Sequence, residues 1–210
     1  MHISEGVLST PVLVTGFALA LPGLWLGLRK MTPKKTILAG VLAAVFFVAS
    51  LIHVPVGPGN AHLILNGLLG IMLGWALFPA LLVALALQAI LFQFGGLTTL
   101  GVNVCAMGYS ALLSRWIFNS LYQALPASFG LAAASFAAGF FAVAISVLLV
   151  ALALAFSNES FTAAASLLFI AHIPVMLAEG LLTALVVGVF ARTSPALAGL
   201  QNLHLKRKNS

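Results

Sequence analysis

HLILNGLLGIMLGWALFPALLVALALQAILFQF, residues 62–94, is the long apolar run that decides how this chain folds. A helix rises about 1.5 Å per residue and the hydrocarbon core of a bilayer is about 30 Å thick, so the run is too long for one membrane span. Pro79, preceded by Gly74 and Trp75, interrupts it. The run therefore predicts two helices, roughly 63–78 and 80–94, joined by a tight turn.

The chain as a whole has the composition of an integral membrane protein. Hydrophobic residues make up 62% of the 210 residues, charged residues make up 6%, and the mean hydropathy is +1.19. A soluble domain has about half apolar and a quarter charged residues. We therefore predict a single integral membrane domain over residues 1–210, with room for about six or seven spans and no separate soluble domain. The single Cys105 excludes an internal disulfide.

Five further apolar runs predict helices at 10–28, 36–54, 102–119, 129–156 and 161–191. Arg29 and Lys30 follow the first run rather than precede it, which indicates a retained helix and not a cleavable signal peptide. The predicted fold class is accordingly all-α, a polytopic membrane protein with about seven transmembrane helices.

The positions of the charged residues test this count independently. With seven spans, all nine basic residues lie on one face of the membrane, and the opposite segments hold Glu5 and Glu159. The positive-inside rule then predicts an N-terminus outside and a C-terminus in the cytoplasm, with residues 199–210 as a basic cytoplasmic tail. Merging the helices on either side of Pro79 would move several basic residues to the wrong face. The nine are Arg29, Lys30, Lys34, Lys35, Arg115, Arg192, Lys206, Arg207 and Lys208.

The first residues form a candidate metal chelator, which we assign to segment 1–8. The Met1 amine, the His2 backbone nitrogen and the His2 imidazole place three nitrogens within two residues, closing a five-membered and a six-membered ring around a metal. A fourth nitrogen in the plane would suit Ni(II), Cu(II) and, less well, Co(II), and would disfavour tetrahedral zinc. Short histidine motifs also occur often by chance, and chain ends fray unless something ties them down.

Four stretches together resemble one known family. These are MHISEG (1–6), VPVGPGNAH (54–62) leading into LILNGLLG, FGGLTTLGVNVCAMG (94–108) and HIPVMLAEG (172–180). They are similar to the CbiM/NikM family, the substrate-binding membrane components of energy-coupling-factor importers for cobalt and nickel, and are closer to the cobalt branch. The family often has proline where this chain has Ser4, which supplies no ligand.

The resemblance implies a ligand set for the metal. By analogy with the family, the ion is held by the Met1 amine, by the amide nitrogen and imidazole of His2, and by the imidazole of His62. His53, at the end of an apolar helix, is the alternative fourth ligand. The residues expected to surround the ligands and hold them in position are Asn103, Thr98 and Asn60. For Asn103, a hydrogen bond between helices is an equally good interpretation.

His172 and Glu179 are a second polar pair in an apolar run. Seven residues apart, they lie on one face of a helix, and a buried glutamate in a membrane must be paired or protonated. A structural link to another helix, a proton relay and an intramembrane hydrolase site all remain open. The hydrolase interpretation lacks an HExxH pair.

The resemblance implies a membrane subunit that captures Co²⁺ or Ni²⁺ at the outer face, in a bacterial or archaeal plasma (inner) membrane, in the service of cobalamin biosynthesis. We expect no enzyme activity, no cofactor and no nucleic-acid partner. The chain contains no GxxxxGK[ST] phosphate loop, so ATP hydrolysis would come from partners. The partner subunits that the resemblance implies are a membrane coupling subunit, two ATPases and a small accessory membrane subunit. A proton-coupled secondary carrier using Glu179 is the alternative.

Overall fold

Helices make up most of the computed structural model, which describes residues 3–51, 53–56, 59–126, 128–158 and 162–194, without the side chains of 53–61 and 162–166. By length and composition alone, four stretches in the described part could cross a membrane: Thr10–Arg29, Asn66–Phe92, which contains a 3-10 turn, Gly130–Ser157 and Ile173–Thr193. This agrees with the predicted helical membrane protein. The elements are α1 (Thr10–Arg29), α2 (Pro33–Ala49), β1 (His53–Val56), β2 (Gly59–His62), α3 (Asn66–Leu73), α4 (Leu77–Phe92), α5 (Leu100–Ala124), α6 (Gly130–Ser157), α7 (Thr162–Ala171) and α8 (Ile173–Thr193).

The long apolar run is divided, but not at the residue predicted. A single 3-10 turn, Gly74–Ala76, separates α3 from α4. Gly74 has φ +57°, a left-handed conformation that glycine adopts without a steric penalty. Pro79 lies in the first turn of α4, where its missing N–H would have had no partner within the helix. The prediction of a break at Pro79 was wrong because glycine makes the turn and proline is tolerated after it.

Arg115 of α5 donates hydrogen bonds to the backbone carbonyl groups at the end of α3, which this turn exposes. Its guanidinium donates to the carbonyl oxygen of Gly70 at 3.2 Å and to that of Ile71. The last carbonyls of a helix have no partner inside it, and a nearby arginine is a common donor to them. Arg115 therefore stabilises the break, which explains a basic residue inside an otherwise apolar bundle.

Contacts between helices give their relative directions. α1 runs parallel to α5, because Gly16 lies against Val102 and Leu19 accepts a hydrogen bond from Tyr109 further along. α3 is also parallel to α5, since Asn66 contacts Ser110 and the end of α3 contacts Arg115. The end of α4 lies beside the end of α2, where Gln88 donates to Ser50. The chain reverses between α3 and α4, because Arg115 of α5 contacts the end of α3 whereas Phe78, early in α4, lies back beside Tyr109. The two helices therefore run in opposite directions, as the tight turn predicted.

Two other predicted helices are shorter than expected. α2 ends at Ala49, and the chain then forms an antiparallel β-hairpin that pairs His53 with His62 and Val56 with Gly59. The all-α prediction therefore omitted one small hairpin. Proline at position 55 has no N–H for a helix, and the β-branched valines beside it favour an extended backbone.

The predicted helix 161–191 is interrupted at His172, between α7 and α8. Pro174 follows two residues later, at the start of α8. Proline cannot donate to the carbonyl four residues earlier and clashes with it, so the helix is broken just before it.

Small residues allow three helices to approach closely near the start of α3. A Cβ on Gly67 of α3 would lie 2.8 Å from the Cα of Gly139 in α6. A Cβ on Gly139 would in turn collide with the backbone of Glu179 in α8. In lipid the hydrophobic effect does not drive helices together, so close packing of this kind is what holds them together. It brings α8 to the beginning of α3.

Candidate metal centre

The chain beside the N-terminus is fixed by two side chains at the start of α5. Ile3 is only 1% exposed. Its N–H donates to Asn103 Oδ1 at 3.0 Å, and its carbonyl accepts from Thr99 Oγ1 at 2.8 Å and from Asn103 Nδ2 at 3.4 Å. Both backbone groups of Ile3 are therefore paired, as they would be in a strand.

Two further contacts hold the following residues. The Ser9 N–H donates to Ser157 Oγ at 3.1 Å, at the end of α6. The Glu5 side chain lies over Gly96, where any side chain at position 96 would collide with it. The segment from residue 3 to α1 is thus tied down at several points. Met1 and His2 themselves lie outside the described residues.

The supporting residues predicted from the sequence are only partly those that make contacts. Asn103 contacts the backbone of Ile3, the residue after His2, and not another helix. Thr98 is exposed, and its neighbour Thr99 is the buried residue that contacts Ile3. Thr99 stands four residues before Asn103, so helical spacing alone could have singled it out. The side chain of Asn60 lies outside the described residues.

His62 is buried, with 3% of its surface exposed, and its tautomer is determined by its neighbour. Nδ1 lies 2.7 Å from the carbonyl oxygen of Leu63. Since a carbonyl can only accept, Nδ1 carries the hydrogen and the lone pair of the neutral ring is on Nε2. Burial lowers the pKa of His62 to about 4, opposed by the Leu63 hydrogen bond and aided by nearby His172. The ring is therefore neutral at physiological pH, as a metal ligand must be.

The loop that follows His62 is held by Glu179 of α8. Glu179 Oε1 accepts hydrogen bonds from the N–H groups of Ile64 and Leu65, the latter at 2.8 Å. Leu65 has φ +53°, a left-handed conformation that is uncommon for any residue except glycine. Such a conformation costs about 1–3 kcal/mol and persists only where its surroundings impose it. The contacts of Glu179 are one such constraint.

Asn66, the first residue of α3, fixes the other side of the loop. Its Nδ2 donates to Ser110 Oγ at 2.9 Å and to the carbonyl of Ala142 at 3.3 Å. The loop is therefore attached to α5, α6 and α8 within a few residues of His62.

The pair His172 and Glu179 is fully buried. His172 Nδ1 donates to the carbonyl of Leu168 at 2.7 Å, in the preceding turn. Of the three interpretations left open for this pair, the contacts of Glu179 correspond to the structural link, although to the backbone of a loop instead of to a helix. The side chain of His53, the alternative ligand, lies outside the described residues.

Chemically, the site combines a neutral, buried imidazole with a chain end whose third residue is held in place. Within the described ranges, no three His, Cys, Asp or Glu side chains are grouped so that they could hold a metal ion by themselves. In the ligand set that the resemblance implies, three further nitrogen donors join His62. Residues 1 and 2 supply nitrogen donors of the required kind.

Comparisons with known proteins agree with the resemblance that the motifs indicated. The sequence matches the family CbiM, described as the cobalt uptake substrate-specific transmembrane region, over residues 2–197. A Haemophilus influenzae protein provisionally named as a metal transport protein is 41% identical over 196 residues, which cover 93% of this chain and 95% of that protein. The cobalt transport protein CbiM of Clostridioides difficile is 32% identical over 206 residues, covering 89% and 80%.

A solved structure has the same fold. The crystal structure of a transition metal transporter superposes with a TM-score of 0.82 at 25% identity, covering 97% of this chain and 99% of the other.

Proposed function

Because this chain belongs to the CbiM family of cobalt and nickel transport proteins, we propose that it is the substrate-capture subunit of an ATP-driven importer for Co²⁺ or Ni²⁺. One observation carries the proposal. Asn103 binds the backbone of Ile3, and Ser110, seven residues later on the same face of α5, binds the start of α3. Two helical turns span only ~10 Å, so one face of α5 holds both the chain end and the loop that carries His62.

The ligands in this proposal are four nitrogens. They are the Met1 amine, the deprotonated amide nitrogen of His2, the His2 imidazole and Nε2 of His62. Amide deprotonation requires a metal that binds nitrogen strongly, which favours Ni(II), Cu(II) and, less strongly, Co(II) over Mg(II). The hydrogen bonds that Thr99 and Asn103 make to Ile3, which we call the Ile3 clamp, support the proposal because they hold the residue next to the terminal chelator, and chain ends fray unless something ties them down.

The proposed setting is a bacterial or archaeal plasma membrane crossed seven times. Residues 1–8 would lie outside and residues 199–210 in the cytoplasm, following the distribution of basic residues. The parallel directions of α1, α3 and α5 support this count, since the odd-numbered spans of such a bundle cross the membrane in one direction. Since the sequence has no phosphate-binding loop, ATP hydrolysis would come from two ATPase subunits acting through a membrane coupling subunit, with a small accessory membrane subunit.

Calorimetric titration of the untagged protein tests the proposal directly. We expect one equivalent of Ni²⁺ or Co²⁺ to bind and Mg²⁺ not to bind, because the donors are all nitrogen. The Ni²⁺ complex should be diamagnetic, since four strong in-plane nitrogen donors pair its electrons. A paramagnetic, six-coordinate complex, or equal affinity for Mg²⁺, would count against this ligand set.

Asn103→Leu should weaken metal binding by about 10-fold or more, because outer partners of metal ligands typically contribute 10–100-fold to affinity. The substitution keeps the branched shape of the side chain, with the same number of heavy atoms, and removes the two hydrogen bonds that Asn103 makes to Ile3. Asn119→Leu, on the same helix but near its other end, is the matched control and should bind as wild type. Equal affinities for the two variants would show that the Ile3 clamp does not matter for capture.

A further inference from the structure

We propose that Glu179 is a positioning residue for metal capture: its carboxyl group holds the loop between β2 and α3 so that His62 presents Nε2 to the metal. This inference rests on the proposed function, since it gives Glu179 a role only if His62 is a ligand. It differs from the proton relay and hydrolase interpretations, because Glu179 acts here through the backbone of another element.

Glu179 contacts the backbone of this loop directly. One oxygen, Oε1, accepts from two successive backbone N–H groups, those of Ile64 and Leu65. The carboxyl is completely buried and is brought to the loop by the close packing of α6 against α8 at Gly139. Loss of this buried acceptor would leave two buried N–H groups without it, which is costly because the local dielectric constant is low.

The same loop determines the orientation of the His62 ring. The ring's Nδ1–H donates to the carbonyl of Leu63, whose peptide unit also contains the N–H of Ile64. Glu179 and His62 therefore bind opposite ends of one peptide group. A peptide unit is planar, so fixing its N–H also fixes its carbonyl oxygen. Rotation of this unit would turn the carbonyl away from Nδ1 and release the imidazole.

Leu65 adds a second reason to assign this role. Its left-handed backbone, φ +53°, is followed directly by the first residue of α3. Without the acceptor on Glu179, the N–H of Leu65 would be buried and unpaired, and a more common conformation would become favourable. Relaxation at this residue would shift the loop relative to α3, and with it His62.

Two substitutions separate hydrogen bonding from volume. Glu179→Met fills nearly the same space but accepts no strong hydrogen bond, whereas Glu179→Gln keeps an acceptor at Oε1. Thr183→Val, one turn along α8 and equally buried, is the control for a change of polarity in that helix. The measurements are Ni²⁺ affinity by calorimetry, amide hydrogen exchange over residues 62–66, and the melting temperature without metal.

We expect Glu179→Met to lose about 10–100-fold in Ni²⁺ affinity, the usual range for an outer partner of a metal ligand, and to exchange faster at residues 62–66. Glu179→Gln should keep the Ni²⁺ affinity and the exchange rate within a few-fold of wild type, and Thr183→Val should change neither. Wild-type affinity in the Met variant would overturn the inference. So would failure of the Met variant to fold while Gln folds, because the bond would then be needed for the fold as a whole.

The two levels of the proposal can fail separately. If His62→Ala binds Ni²⁺ as wild type does, the proposed ligand set fails, whatever the Glu179 variants show. If His62→Ala loses binding while Glu179→Met retains it, only the positioning role of Glu179 fails.

Discussion

Adding two residues, Gly-Ser, before Met1 should lower Ni²⁺ affinity by at least about 1,000-fold, which corresponds to about 4 kcal/mol. In the proposed site the terminal amine and the first amide nitrogen are two of four donors, and both lie in chelate rings with the His2 imidazole. The extension converts the amine into an amide and moves the new amine out of reach. Calorimetry of the extended and untagged proteins in the same detergent measures the difference.

The length of the extension decides whether this experiment is informative. One added residue would leave an amine, two amide nitrogens and an imidazole in consecutive five-, five- and six-membered rings. Those four nitrogens form a square around Ni²⁺ or Cu²⁺ without His62. A one-residue extension could therefore still bind metal tightly, but at a different site. Two residues break the sequence of rings and avoid this artefact.

A cleavable leader provides the matched control. Proteolysis immediately before Met1 should restore the affinity of the untagged protein, since it regenerates the amine without changing any other residue. Undiminished binding before cleavage would rule out the terminal amine as a ligand. Unchanged melting temperature before and after cleavage would show that the effect arises from the donor and not from the fold.

The outline of the bundle could be predicted from the sequence because its main determinant is the length of apolar runs. The run 62–94 exceeds one bilayer thickness, and the structure does divide it into a hairpin. The residue at the turn could not be identified in this way. Gly74 and Pro79 can both interrupt a helix, and Arg115, which binds the carbonyls exposed at the Gly74 turn, is distant in sequence.

The candidate site was predictable to a similar degree. Histidine and terminal donors indicate nitrogen chemistry by their type, and Asn103 was selected as a polar residue in an apolar helix. The contacts that orient them were not predictable, because they join Ile3 to α5 and Glu179 to a loop more than 100 residues earlier. Such pairings depend on how α3, α6 and α8 pack through their glycines, which periodicity does not reveal.

His62→Ala should lower Ni²⁺ affinity by about 100-fold, or about 2.7 kcal/mol, and make the complex lose its square-planar spectrum. The loss is smaller than for the extended terminus, because three chelating nitrogens remain and water can occupy the fourth position. Burial lowers the pKa of His62 to about 4, so between pH 6 and 8 the ring contributes no proton to be displaced. The pH dependence of binding in this range should therefore persist in the variant, since it arises from the amine and amide of residues 1 and 2.

His53→Ala is the matched control, because the hairpin register pairs His53 with His62 and both belong to the same two strands. If His62 is the ligand, His53→Ala should bind Ni²⁺ within a few-fold of wild type and keep the diamagnetic complex. The reverse result, loss of binding in His53→Ala with His62→Ala unaffected, would identify His53 as the fourth ligand. Because the Nδ1–H of His62 is held by Leu63 and that peptide unit by Glu179, the geometry favours His62 as the side chain with its metal-binding nitrogen already oriented.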